Sequence, residues 1–219
     1  MIIYPKDHAA WLQERKNGLG ASDAGTIIGV NPWKTNVELW AEKTGQREAE
    51  DISYKPYVQY GHAAEEHIRR LFALDHPELM VMYESSYKII RNDEHPWIFC
   101  TPDGELYDFK TDRSGGLEIK TTEIMNGSKW KEWDGRIPDR YYAQVCHQML
   151  AAGWEFVWIR AQIKYTTRDG EKRAETRDYY IDRAEVEEDI NALLEAEMAF
   201  WEQVQTKTCP ALKLPTIEG

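Results

Sequence analysis

Thr101-Pro102-Asp103-Gly104, followed by Leu117-Glu118-Ile119-Lys120, is the stretch around which the rest of the chain can be placed. The segment between them carries Asp112 and Gly115-Gly116 near its end and reads as strand, long hairpin connection, strand. Side chains alternate faces along a strand, so Glu118 and Lys120 point one way and Ile119 the other. If Asp103 ends the neighbouring strand, two carboxylates and one ammonium meet at a single sheet edge. Adjacent carboxylates repel unless a cation sits between them. Hard oxygen ligands at that charge density suit Mg²⁺ or Mn²⁺. A lysine beside such an ion can polarise a water or balance charge on a phosphate. By themselves these residues read more readily as turn chemistry and an exposed strand face, so the rest of the chain must decide.

With 219 residues, 42% of them hydrophobic, the chain is long enough for one α/β domain with its own core. It shows no apolar run of bilayer-spanning length and no signal peptide, so the expectation is a soluble, cytoplasmic protein without membrane partners. Cys100, Cys146 and Cys209 are scattered, which argues against a zinc ribbon or a four-cysteine iron–sulfur cluster. A net charge of -11 is the wrong sign for binding nucleic acid over the whole surface, so any DNA-binding surface must be local. Arg69-Arg70, Lys129 with Lys131, Arg136 with Arg140, and Lys172-Arg173 are local basic patches, each of which alone reads as a solvated face.

The spacing predicts a helix over 8–16 and a short helix capped by Ser22 or Asp23 and running through Ile28. Thr35-Asn36-Val37-Glu38 has capping-box spacing and opens a helix that Gly45 stops. After a polar loop over 46–56, residues 57–74 form an amphipathic helix whose apolar stripe is Ile68, Leu71 and Phe72. Strands follow over 79–91, 97–101, 104–109 and 116–121, then helices over 126–133 and 138–152, the second ended by Gly153. A hairpin over 155–166 and 174–181 leads to a closing helix, 183–204, with Ile190, Leu193, Leu194 and Met198 on one face. The fold class is therefore α/β (α+β), a mixed central sheet with helices on its faces.

On the helix over 57–74, Glu65 can reach the strand edge, although it and its neighbours His62, Glu66 and His67 can equally face solvent. A zincin reading fails because His62 and His67 diverge by about 140° at roughly 100° per residue. Gln144 and Gln148 share one face of the helix over 138–152, and a glutamine on a mostly buried helix needs partners. A phosphate or base is one option and backbone carbonyls another. Near the start, Ser22 at a helix N-terminus and the forked donor Arg15 can face one anion.

Together W-x3-R…G-A-S-D, N-P-W-K-T…E-L-W-x-E-K-T-G, G-x3-E, T-P-D-G, L-E-I-K and I-P-x2-Y-x2-Q-V-x-H-Q resemble the lambda-exonuclease/YqaJ viral recombinase family, within the PD-(D/E)xK nuclease superfamily. The resemblance covers roughly residues 10–155, and nothing after it carries a matching motif. It implies a restriction-endonuclease-like core and a single nuclease domain over 1–219, with the hairpin and helix of 155–206 appended. It implies that Asp103, Glu118, the Ile119 carbonyl and Glu65 hold Mg²⁺, two ions per site, with Mn²⁺ able to substitute. Lys120 would activate or orient the water, and Arg15, Ser22, Thr101 and Gln144 would bind a terminal 5′-phosphate. The family more often has Ser at position 101, and Thr keeps the hydroxyl. The expected activity is 5′→3′ digestion of double-stranded DNA ends by a homotrimer, which leaves 3′ strands for a single-strand annealing protein in phage-type recombination. An endonuclease on the same core and an idle DNA-end-binding module are the other readings. Arg15 with Ser22 speaks against the first, and the intact Asp103, Glu118, Lys120 set against the second.

Overall fold

The structure, a computed structural model, describes residues 1–124 and 130–214. Its first half runs β1 (Ile2–Ile3), α1 (His8–Lys16), β2 (Leu19–Gly20), α2 (Ala24–Ile27), α3 (Asn36–Lys43), α4 (Pro56–Asp75), β3 (Leu79–Met82), β4 (Ile89–Arg91) and β5 (Ile98–Cys100). Then come β6 (Gly104–Asp108), β7 (Arg113–Ile124), α5 (Asp139–Ala152), β8 (Phe156–Thr166), β9 (Lys172–Asp182) and α6 (Arg183–Gln205).

The mixed sheet is divided in two. A four-stranded sheet has the order β1-β4-β5-β2, and a five-stranded sheet has the order β3-β6-β7-β8-β9. Each is mixed: β2 pairs β5 in parallel and β7 pairs β8 in parallel, while the remaining pairs are antiparallel. The chain crosses from one sheet to the other between β5 and β6, at Thr101-Pro102-Asp103. The β6–β7 hairpin is tighter than the sequence suggests. Asp108 pairs with Arg113 and only residues 109–112 turn, with Asp112 at φ 57.

Helix α4 covers one face of the larger sheet, packing Ile68 and Phe72 on Leu106, Leu117, Ile119 and Phe156. On the other face α5 buries Val145 and Met149 against Val157, Ile159, Ala161 and Ile163, and the same core reaches Ile98 and Cys100 of the smaller sheet. Local signals explain most helix ends. Thr35 and Glu38 form the expected reciprocal cap, Pro56 occupies the first turn of α4, and Gly153 closes α5 in the left-handed region.

Several expectations are corrected. The strand over 79–91 is two strands in different sheets, separated by a turn in which the Lys88 amide bonds the Ser85 carbonyl. Leu71 is 55% exposed, and Arg69 takes a buried place on α4 beside Ile68 and Phe72. Met198 is 46% exposed because the buried stripe of α6 is Ile190, Leu193, Glu197, Phe200 and Val204. Ser22 caps no helix. It is exposed in a 3₁₀ turn over Ala21–Asp23, and Asp23 folds back to accept the Gly20 amide at 3.0 Å. The helix expected over 126–133 begins outside the described residues.

Gly115 and Gly116 let aromatic rings lie on β7. A Cβ at Gly116 would collide with the buried Trp154 ring, and one at Gly115 with Phe156. Gly116→Val should therefore cost about 1–3 kcal/mol or more through overpacking. Urea denaturation should report a lower midpoint at unchanged slope, and an unchanged midpoint would contradict the packing described.

Candidate active site

Beyond the Gly104–Leu117 pair the β6–β7 ladder has no further strand partner, and a side chain takes its place: Asp103 Oδ2 accepts the Ile119 amide at 2.8 Å. Ile119 therefore turns its amide toward Asp103. The carbonyl of the same strand residue points to the same side, so the Ile119 oxygen joins the Asp103 carboxylate at this edge. Glu118 and Lys120 project from the opposite face of β7, toward α5. Glu118 is 3% exposed, and both its oxygens are occupied. Oε1 accepts from Gln144 Nε2 at 2.7 Å and from Lys120 Nζ, and Oε2 accepts from Gln148 Nε2. Lys120 also lies 4.7 Å from the centre of the Tyr141 ring.

Glu65 arrives from α4. Helix and strand approach closely at Gly61, where a Cβ would stand 3.3 Å from Thr121 Oγ1. One turn later Glu65 bonds Arg69 Nη2 at 2.6 Å, and Arg69 Nε donates to the Asp103 carbonyl. Arg69 rests on the Tyr83 ring, 3.5 Å from its centre. The Arg69-Arg70 patch is thus split: Arg70 is a solvated partner of Glu66, while Arg69 is a buried strut of the carboxylate cluster. Its i, i+4 spacing from Glu65 is the signal in the sequence that marks it.

Electrostatics follow from this crowding. Burial, then Glu118 and Glu65, push the Asp103 carboxyl well above the usual carboxylate range, against Lys120 and the Ile119 amide. Burial also raises Glu65; Arg69 opposes this and Glu118 adds to it. Burial alone would lower Lys120, but Glu118 and Asp103 hold it above the ordinary lysine value.

Arg15, near the end of α1, meets Thr101, just after β5, Nη1 donating to Oγ1 at 3.2 Å. The guanidinium stacks over the Trp11 ring at 4.4 Å and forms no ion pair among the described residues. Burial lowers its pKa, with Asp23 opposing. Asp23 itself pairs with Lys43 at 2.8 Å; burial would raise its carboxyl, but Lys43 and the Gly20 amide outweigh that and hold it below the usual value. A half-buried cation without a carboxylate partner suits an incoming anion. Ser22 lies in the turn just after Gly20, and it is Gly20 that stands against this arginine, where a Cβ would be 3.8 Å from Nη2. Gln144 does not join the pair; the structure places its amide on Glu118 instead.

Among the described residues, no three His, Cys, Asp or Glu side chains are already gathered as ligands around one point. The donor set still fits a hard divalent ion. Glu65, Asp103, Glu118 and the Ile119 carbonyl offer only oxygen, and the carboxylates repel in a way that a cation would relieve.

The fold is that of the lambda-exonuclease-like nucleases. The chain belongs to the family of the YqaJ-like viral recombinase domain, which matches residues 10–155. It is 30% identical over 208 residues to the Bacillus subtilis (strain 168) protein called uncharacterized protein YqaJ, covering 92% of this chain but only 58% of that relative's length. The alkaline exonuclease LHK-Exo from Laribacter hongkongensis superposes with a TM-score of 0.62 at 18% identity, over 91% of this chain and 93% of that one. LHK-Exo in complex with dAMP superposes with a TM-score of 0.55 at 19% identity, over 92% and 100%. No helix among the described residues is long and apolar enough to cross a membrane.

Because the folded protein holds protons on Asp103 and Glu65 where an unfolded chain has released them, its stability without metal should fall as pH rises above about 4. His147, also raised in the folded state, adds a loss of the same sign at higher pH. Asp103→Asn isolates the carboxylate part. In chelator, its melting temperature should exceed the parent's by about 2–4 °C per kcal/mol of repulsion relieved. The gap should be wider near pH 8 than near pH 5, and parallel pH profiles for parent and variant would contradict the assignment of the strain to Asp103.

Proposed function

We propose that the chain is a divalent-metal-dependent deoxyribonuclease that digests linear double-stranded DNA from its 5′ ends. Mg²⁺ is the ion in this reading, two per site, with Mn²⁺ able to substitute. The product is a 3′ single strand for an annealing protein in phage-type recombination, and the working form is a homotrimer. The observation that carries the reading is the meeting of Glu65, Asp103, Glu118 and Lys120 at one strand edge, with the Arg15–Thr101 pair attached to Asp103 through Pro102. Membership of the recombinase family supports it, as does the shared fold with a protein named an alkaline exonuclease.

Asp103, Glu118, Glu65 and the Ile119 carbonyl would hold the metal. A divalent ion there would polarise the attacked phosphate and lower the pKa of a bound water. Lys120 keeps its proton under the influence of Glu118 and Asp103, so it acts as a fixed cation that orients the attacking water and balances charge on the phosphate. Glu118 Oε1 is shared by Lys120 and Gln144, so ligation through that oxygen requires Lys120 to let go of it. Arg15, Thr101 and Ser22 would grip a terminal 5′-phosphate, with Gln144 serving the boundary between that grip and the carboxylates.

Asp103→Ala and Glu118→Ala should abolish Mg²⁺-dependent cleavage while DNA ends still bind. Lys120→Ala should lower turnover by about 10²–10³, as loss of a transition-state donor does, with Mg²⁺ binding by calorimetry retained. Near-normal turnover in any of the three would show the site to be misassigned.

End recognition separates exonuclease from endonuclease. A terminal 5′-phosphate carries more charge than an internal one, so Arg15 favours it. Initial rates on linear duplex should be higher with 5′-phosphate than with 5′-hydroxyl, and Arg15→Ala should shrink that preference more than it slows the 5′-hydroxyl substrate. Equal rates on both ends, or efficient cutting of closed circles, would replace the exonuclease with an endonuclease on the same core.

A further inference from the structure

Gln148 is 1% exposed, one helical turn beyond Gln144 on α5. Its Nε2 donates to Glu118 Oε2, while its own Oε1 is buried with no hydrogen-bond partner among the described residues. The amide cannot be turned round to cure this. Reversal would press its oxygen against a carboxylate oxygen, acceptor to acceptor. A buried carbonyl without a donor is costly, and such groups in folded proteins are ordinarily satisfied by a water or a ligand. Here the unsatisfied oxygen belongs to the side chain that holds the most buried carboxylate of the proposed metal site.

The two oxygens of Glu118 are also unequal. Oε1 is shared by Lys120, an internal counter-ion, and Gln144. Oε2 is held by Gln148. Gln148 is itself fixed by packing: the adjacent His147 is fully buried between Glu197 and the Phe99 carbonyl, and Met149 is fully buried on the next position.

We propose that Gln148 is a positioning residue of the metal site. Its amide nitrogen sets the plane of the Glu118 carboxylate, and its free carbonyl oxygen would accept a hydrogen bond from water brought into the site with the ion. This rests on the nuclease reading above and adds a second group to α5's contribution. Lys120 and the ion compete for Glu118, whereas Gln148 stays on Oε2 throughout, so it is the group that makes the carboxylate ready for the ion.

The test is Mg²⁺ binding by calorimetry on the full chain without DNA, for the parent, Gln148→Met and Asp103→Ala. Gln148→Met keeps the length of the side chain and removes both polar atoms. It should weaken Mg²⁺ binding by about 10–100-fold, the usual effect of removing a group that orients a ligand. Its melting temperature in chelator is the net of two opposed changes, since the variant removes one unsatisfied buried oxygen and leaves Glu118 Oε2 without its donor. A merely structural glutamine would leave the Mg²⁺ affinity unchanged whatever the melting temperature does. Parental affinity in Gln148→Met with affinity lost in Asp103→Ala overturns the role of Gln148 alone. Parental affinity in Asp103→Ala overturns the metal site and this role with it. A second readout uses the parent and does not depend on the variant folding. In ¹⁵N-glutamine-labelled protein the Gln148 side-chain amide signal should shift on Mg²⁺ addition with the calorimetric midpoint, and a signal unmoved at saturation overturns the proposal.

Discussion

One hydrogen bond organises the site: the Ile119 amide to the Asp103 carboxylate, 2.8 Å long. Strand β6 begins at Gly104, so at position 103 the ladder would end. The carboxylate takes the part of the missing strand carbonyl and extends the pairing by one step. Asp103 is thereby locked against the strand that carries Glu118 and Lys120, at a distance set by sheet geometry. The preceding Pro102 favours an extended Thr101, which lies where the chain passes from the smaller sheet to the larger. Thr101, bonded by Arg15 of α1, and Asp103 therefore lie at this crossing and are joined through the stiff Pro102. In the proposed reading, grip on an anion and charge for a metal would be connected by covalent geometry.

The same bond holds together groups that repel. Asp103 and Glu65 are raised by burial and by each other's neighbours, and Arg69 braces both through Glu65 and the Asp103 carbonyl. Functional sites are where a fold tolerates such strain. With a net charge of -11 the chain offers nucleic acid little general attraction. Its useful cations are instead withdrawn around the site: Arg15 half-buried on Trp11, Lys120 against Tyr141, and Arg69 on Tyr83. Each has an aromatic face beside it, which keeps the charge in place without cancelling it.

What the sequence makes legible here is local and periodic. The alternation of Glu118, Ile119 and Lys120, the reciprocal cap of Thr35 with Glu38 and the glycine stop after α5 all depend on a few neighbouring residues, and each is present as read. What it hides is set by distant partners. The helical period places Leu71 and Met198 inside, and both are outside, because Arg69 and Glu197 have buried partners brought from other elements. The division into two sheets is hidden for the same reason, since the break within 79–91 follows from which strand each half finds. Gln148 is visible in the sequence as a glutamine in need of partners, but only the fold shows that Glu118 is the partner and that one oxygen is left over.

The family match ends at residue 155, yet α6 is bound into the site helix through a buried charge pair. His147 Nε2 faces the Phe99 carbonyl at 2.9 Å and Nδ1 faces Glu197 at 2.7 Å, with both side chains fully buried. A carbonyl can only accept, so Nε2 carries a proton; two bare acceptors cannot face each other, so a second proton lies between Nδ1 and Glu197. Burial works against a charged imidazole, but Glu197 and the Phe99 carbonyl outweigh it and raise the pKa of His147. The pair fixes α5 from behind at the residue next to Gln148, and fixes β5 two residues before Thr101. Removing one partner of such a pair is costly, about 3–5 kcal/mol, because it strands a charge in the interior. The last helix, which carries none of the matching motifs, is thus the back wall against which the glutamines of α5 and the Arg15–Thr101 pair keep their places.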